Sequence, residues 1–121
     1  MPDARYHKVK HLVEVEDDIL AVFTVSAEKE NGLENLWIAK NASITRDFVD
    51  NIFAWLLSVR TIGMDADMNK IVGHLKWTIH ETDGIRALVI YEKDQDVVAL
   101  IKSNTSLSET VDNILGYYYE C

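Results

Sequence analysis

The sequence predicts an α+β domain of mixed α/β layers. Its core is a five-stranded, mostly antiparallel sheet, with one long helix between strands 2 and 3 and a C-terminal helix. Three observations predict it. Short β-branched apolar runs alternate with turn signals on both sides of position 60. A strongly apolar helical stretch, RDFVDNIFAWLLSVRTIG (46–63), stands between the two sets. A capping box followed by apolar residues at helical spacing closes the chain. At 121 residues, the chain is expected to be a single domain, 1–121, able to bury a core without staples.

The elements follow in order. In ARYHKVKHLVEV, Tyr6, Val9, Leu12 and Val13 fit one helical face, which predicts a short N-terminal helix. DILAVFTVSAE (18–28) is a continuous apolar run rich in β-branched residues, as expected of a strand buried on both faces. Asn31-Gly32 signals a turn, and LWIAKN (36–41) is the returning strand. Ser43 or Thr45 can cap the long helix, which is expected to run to Ile62 and stop at Gly63. MDADMNK reads as a loop. IVGHLKWTIHE (71–81) alternates, with Leu75, Trp77 and Ile79 on one face and His74, Lys76, Thr78 and His80 on the other. Thr82-Asp83-Gly84 turns into IRALVIYE (85–92), and KDQD turns into VVALIKS (97–103). Ser106 and Glu109 form the S-x-x-E box, after which Leu107, Val111, Ile114, Leu115 and Tyr118 make an amphipathic face.

Composition narrows the function classes. Hydrophobic residues make up 48% and charged residues 26%, an ordinary globular balance. The formal net charge of -8, with no Lys/Arg cluster, argues against nucleic acid. The single cysteine, Cys121, can form neither an internal disulfide nor a Cys-based zinc site, so a reducing cytoplasm is the expected location. No uncharged apolar run approaches the ~20 residues of a membrane span, and the first residues lack the apolar core of a signal peptide.

The long helix carries more apolar surface than one sheet needs. Stepped at about 100° per residue, its apolar side chains fill an arc of roughly 220°, against the ~100–140° that packing on a sheet requires. Phe48, Ile52, Trp55 and Val59 occupy one half, and Val49, Phe53 and Leu57 the far edge, beside Arg46 and Arg60. One edge can face the sheet, and the other needs a second cover. The N- or C-terminal helix would supply it internally. A second copy would supply it across a twofold axis, the reading that large apolar patches favour. The strand at 71–81, with one polar face, is expected at a sheet edge, where it could pair with its twin.

The order of elements, the long helix after the first hairpin, the meander GHLKWTIHETDGIRALVIYEKDQDVVALIKSNTSLSETVDNIL and the closing helix resemble the roadblock/LC7 family, over about residues 5 to 117. Longin, profilin and PAS-like domains share parts of this layout. The resemblance implies a non-enzymatic module without cofactor that dimerises, with itself or a paralogous subunit, through its long helix and third strand. It also implies a platform for small Ras-like GTPases or other regulators. Carried onto this chain, the implied dimer surface is Val49, Phe53, Leu56 and Leu57 with His74, Lys76, Thr78 and His80.

Chemical alternatives are weaker. His7 and His11 share a helical face, but no Glu or Asp completes a metal site there, and two exposed histidines are the expectation. His74 and His80 lie six residues apart on a strand, roughly 20 Å, too far to act on one atom. DADMNK lacks the glycine and distal Glu of a calcium loop. No phosphate-binding glycine motif or nucleophile elbow occurs. Of Tyr117, Tyr118 and Tyr119, the middle one belongs to the core face, and the outer two seal the last turn or dock a partner. The rival readings are a PAS- or profilin-like small-ligand sensor and a small enzyme using His74 or His80.

Overall fold

The computed structural model describes residues 4–26, 33–59, 75–92 and 95–120. A helix α1 (Ala4–His11) runs into a 3-10 turn (Leu12–Glu14). Then come β1 (Ile19–Ser26), β2 (Leu33–Ile38), α2 (Arg46–Ser58), β3 (Trp77–Glu81), β4 (Arg86–Tyr91), β5 (Gln95–Ile101) and α3 (Leu107–Glu120). The five strands form one antiparallel sheet of order β2-β1-β5-β4-β3. Both hairpins are as expected, and the closure of β1 onto β5 makes the first and last strands neighbours at the centre.

The three central strands are mostly apolar on both faces, and the sheet is covered on both. Alternate residues of β4 and β5 divide between two clusters: Ala87, Val89, Tyr91, Val98 and Leu100 on one side, Leu88, Ile90, Val97, Ala99 and Ile101 on the other. Val49 and Leu56 of α2 fill the first cluster. Val9, Leu12, Ile114 and Tyr118, from α1, the 3-10 turn and α3, fill the second. The two terminal helices are tied together as well. Tyr117 Oη donates to the Lys8 carbonyl at 3.2 Å, and the Lys8 ammonium sits 4.8 Å from the Tyr118 ring. Asn113 donates to Glu16.

Several boundaries differ from the sequence expectation. Strand β2 begins at Leu33 and ends at Ile38, earlier than 36–41, because its register follows β1 from Ala21↔Ile38 to Val25↔Leu33. The cap of α2 is Thr45, whose Oγ1 accepts from Phe48 N at 3.2 Å. The helix ends at Ser58, short of Ile62. There Ser58 Oγ donates back to the Trp55 carbonyl at 2.8 Å, and Val59 N is shared between the Trp55 and Leu57 carbonyls, tightening the last turn. Strand β3 starts at Trp77, and alternation begins only there: Leu75 joins the α2-side cluster whereas Ile79 joins the opposite one. Leu107 is 46% exposed and does not belong to the core face of α3. It occupies the first turn, where Glu109 N bonds Ser106 Oγ at 3.4 Å. The turn at Asn31-Gly32, the MDADMNK loop, His74 and Cys121 lie outside the described residues.

Two charged residues are buried among the described residues, Arg86 and Asp96, and Arg86 is the more deeply enclosed. Arg86 is 2% exposed. Its guanidinium forms a two-pronged pair with Glu81, Nε to Oε1 at 2.9 Å and Nη2 to Oε2 at 2.8 Å. It also donates to Thr105 Oγ1 and to the Ser103 and Thr105 carbonyls. The turn sets this up. Thr82 and Ile85 exchange backbone and hydroxyl bonds, which places Glu81 directly opposite Arg86. The clamp joins the β3–β4 hairpin to the β5–α3 connection.

The Arg86 hydrogen bonds hold the Glu81 carboxyl below the ordinary glutamate range. A carboxyl lowered on folding adds stability above its unfolded value and loses it as pH falls through the folded one. Urea denaturation across the acid range is therefore expected to show a loss of stability beginning below the ordinary glutamate value. Glu81→Gln should be less stable at neutral pH and should show less of that acid-dependent loss.

Candidate functional site

Strand β3 is a sheet edge among the described residues. Its backbone phase decides what that edge offers. Tyr91 N donates to the Lys76 carbonyl, and Thr82 N donates to the Ile85 carbonyl. Between these bonds the β3–β4 register runs unbroken from Trp77↔Ile90 to Glu81↔Arg86. Hydrogen-bonded and non-hydrogen-bonded pairs alternate along an antiparallel ladder. Thr78 and His80 therefore commit their N–H and C=O groups to β4. Those of Trp77, Ile79 and Glu81 point outward.

Beside this edge lies one flank of α2. With Val49 and Leu56 fully buried on the sheet, Phe48, Ile52, Trp55 and Val59 lie on one side of the contact line, and Arg46, Phe53 and Leu57 on the other. Two ring contacts orient the helix. The Trp55 ring meets the His80 ring edge-on, centroids 6.1 Å apart, so the first flank faces β3. The Phe53 ring meets Phe23 of β1 at 6.3 Å, so the second faces the other way. Phe48 and Val59 on the β3 flank are 37% and 47% exposed. From the opposite face of the same edge Trp77 is 39% exposed.

The residues implied for a dimer surface thus divide. Val49 and Leu56 are buried within the chain, against the sheet. Phe53 packs on Phe23. Leu57 is exposed but lies on the flank away from β3. His74 is outside the described residues. Lys76 is exposed and precedes the strand. Thr78 and His80 are half-buried on the α2 side and form a polar chain: Thr78 Oγ1 lies 3.0 Å from Tyr91 Oη and 3.5 Å from His80 Nε2. Burial raises the Tyr91 hydroxyl pKa, the Thr78 hydrogen bond works against this, and the Asp96 charge adds to it. Internal cover of the α2 flank by α1 or α3 does not occur, because both pack on the opposite face.

The chemical candidates find little support. His11 Nδ1 lies 3.5 Å from the Glu14 carboxylate, in the open. Among the described residues no group of three His, Cys, Asp or Glu side chains is placed to hold a metal ion. His80 contacts a hydroxyl and a tryptophan, while neighbouring Glu81 is held by Arg86. Tyr118 is core, Tyr117 bonds Lys8, and Tyr119 Oη reaches the Lys76 carbonyl at 3.4 Å. No helix among the described residues is long and apolar enough to cross a membrane.

No protein-family model matches the sequence, and no curated protein matches it. Solved structures do. The chain is similar to the gliding protein MglB from Thermus thermophilus, with a TM-score of 0.64 at 9% identity over 98% of this chain and 89% of that one. It is similar to a roadblock/LC7 domain from Streptomyces avermitilis, with a TM-score of 0.62 at 11% identity over 94% and 91%. The chain has a roadblock/LC7-like fold. It also matches an MglB with a tetrameric arrangement, at a TM-score of 0.64 and 10% identity over 99% and 89% of the two chains.

Within this roadblock-like frame, the β3 flank of α2 and the β3 edge lie side by side as a partly exposed surface among the described residues. Two features of it are open to sequence reasoning. The flank is visible in the helical arc, but which half faces the sheet depends on β1 and β3. The Glu81–Arg86 clamp follows from a four-residue turn at 82–85 and a lone arginine in an apolar strand. Because Phe53 packs on Phe23, Phe53→Glu is expected to lower stability to urea by about 2 kcal/mol, the range for a polar group forced into a packed site.

Proposed function

We propose that the chain is a non-catalytic, dimerising interaction module whose paired surface serves as a platform for a partner protein. One observation carries this reading: a strip of α2 that is apolar and partly exposed lies beside an open sheet edge, while both terminal helices are committed to the other face. Exposed apolar surface contiguous with unpaired strand groups is where a second protein gains most by docking. The tetrameric arrangement of one structurally similar protein agrees with self-association. For the bound partner, the roadblock resemblance implies a small Ras-like GTPase, and a paralogous subunit could stand in for the second copy.

Light scattering on wild type and on Phe48→Glu tests the reading. Position 48 follows the Thr45 cap by three residues, so a glutamate there completes a capping box and leaves the helix intact. The wild type is expected to have the mass of a dimer or higher oligomer. Phe48→Glu is expected to shift it at least tenfold towards monomer without loss of thermal stability in the monomer. A wild-type monomer at all concentrations would refute the proposal.

A further inference from the structure

We infer that the sheet face opposite α2 carries a separate docking surface, a furrow between α3 and β3 that takes a basic, proline-rich extended segment of a partner protein. The terminal helices leave this furrow open. Strands lie ~4.8 Å apart and a helix with its side chains is about 10 Å across, so α1 and α3 cover about four of the five strands. Side-chain bonds fix which strand is left. Asn113 and Tyr117 turn one flank of α3 to Glu16 and Lys8, on the α1 side. Tyr119 Oη donates to the Lys76 carbonyl at 3.4 Å, which turns the other flank, Asp112, Leu115 and Tyr119, to β3. Trp77, Ile79 and Glu81 alternate onto the same face of β3, where Ile79 joins the α3-side cluster and Glu81 pairs with Arg86.

The furrow has the chemistry of a polyproline site. Its walls are two exposed aromatic side chains, Trp77 and Tyr119, over a floor of Ile79 and Leu115. Tyr119 is preorganised: its ring stands edge-on to Tyr118, centroids 5.2 Å apart. The indole N–H of Trp77, which can only donate, has no acceptor among the described residues. A polyproline II segment answers both features. It docks in aromatic-lined grooves, and its carbonyls accept from no N–H of its own. The space beside α3 is about one strand wide, which admits an extended chain and not a helix. Charge specifies the flanking residues. Asp112 is exposed on the α3 wall and has no ionic partner among the described residues. Glu92 lies at the other end, where it accepts from Tyr118 Oη at 2.6 Å beside Lys8 and Lys76. An arginine or lysine next to the prolines would meet the uncompensated Asp112, in a chain of net charge -8.

The test is a polyproline peptide ending in arginines, titrated into isotope-labelled protein, with the mass followed by light scattering in the same samples. The chain has three tryptophans, so each indole N–H signal can be followed separately. That of Trp77 is expected to move, and that of Trp55, packed on His80 on the other face, to stay. Trp77→Ala and Tyr119→Ala are each expected to weaken binding at least tenfold, and Asp112→Asn at least threefold with a shallower salt dependence. Should Trp77→Ala fail to fold, Trp77→Phe keeps a ring, drops the indole donor and is expected to lose at least threefold. An unmoved Trp77 signal at millimolar peptide would overturn the inference. So would equal binding of a glutamate-ended peptide, or tighter binding of an arginine-ended polyalanine helix. Self-association stands or falls separately. Peptide bound by a monomer upholds the furrow and refutes the dimer, and a dimer that binds no peptide does the reverse.

Discussion

A sheet whose central strands are apolar on both faces must be covered twice, and this requirement organises the molecule. Strands β1, β4 and β5 are buried along nearly their whole length. Water on either face would cost on the order of 25 cal/mol for each Å² of apolar surface left wet. Among the described residues three α-helices meet the requirement, α2 on one side and α1 and α3 on the other. With α1 and α3 locked together through Tyr117 and Lys8, neither is available to wrap the long helix. The excess apolar arc of α2 is left beside β3 as a consequence of that division of labour.

The edge is then shaped by a second constraint, the phase set by the β3–β4 turn. The Thr82–Ile85 bonds align Glu81 with Arg86, and the same alignment decides that Trp77, Ile79 and Glu81 present their backbone groups outward. One local structure thus places the buried arginine, neutralises the edge carboxylate and defines the surface that a partner strand would meet. The fold and the geometry of this edge are coupled through hydrogen bonding.

Much of the architecture is legible from periodicity. The apolar runs at 18–28, 85–92 and 97–103 and the S-x-x-E box lead to β1, β4, β5 and α3 because burial and capping are local signals. The short β3 is harder. Its alternation extends back to residue 71 in the sequence, yet Leu75 sits on the α2 side, since pairing with β4 governs only from Trp77 onward. The candidate surface is half legible. The arc of α2 shows an excess of apolar residues, but its orientation rests on Phe53 meeting Phe23 and Trp55 meeting His80, contacts between residues far apart in sequence. Without those contacts Val49 and Leu56 read as interface residues, and they prove to be the centre of the helix's own footprint on the sheet.

The most direct test of the central claim is amide hydrogen exchange on β3 as a function of protein concentration. Thr78 and His80 are bonded to β4 in a single chain, so their protection should not depend on concentration beyond the gain in global stability. The amides of Trp77, Ile79 and Glu81 point away from β4, and among the described residues none pairs with them, so a second copy would bond them. These three are expected to be protected at high concentration and to lose protection on dilution. Fast exchange at Trp77, Ile79 and Glu81 at every concentration, with Thr78 and His80 protected, would contradict the claim.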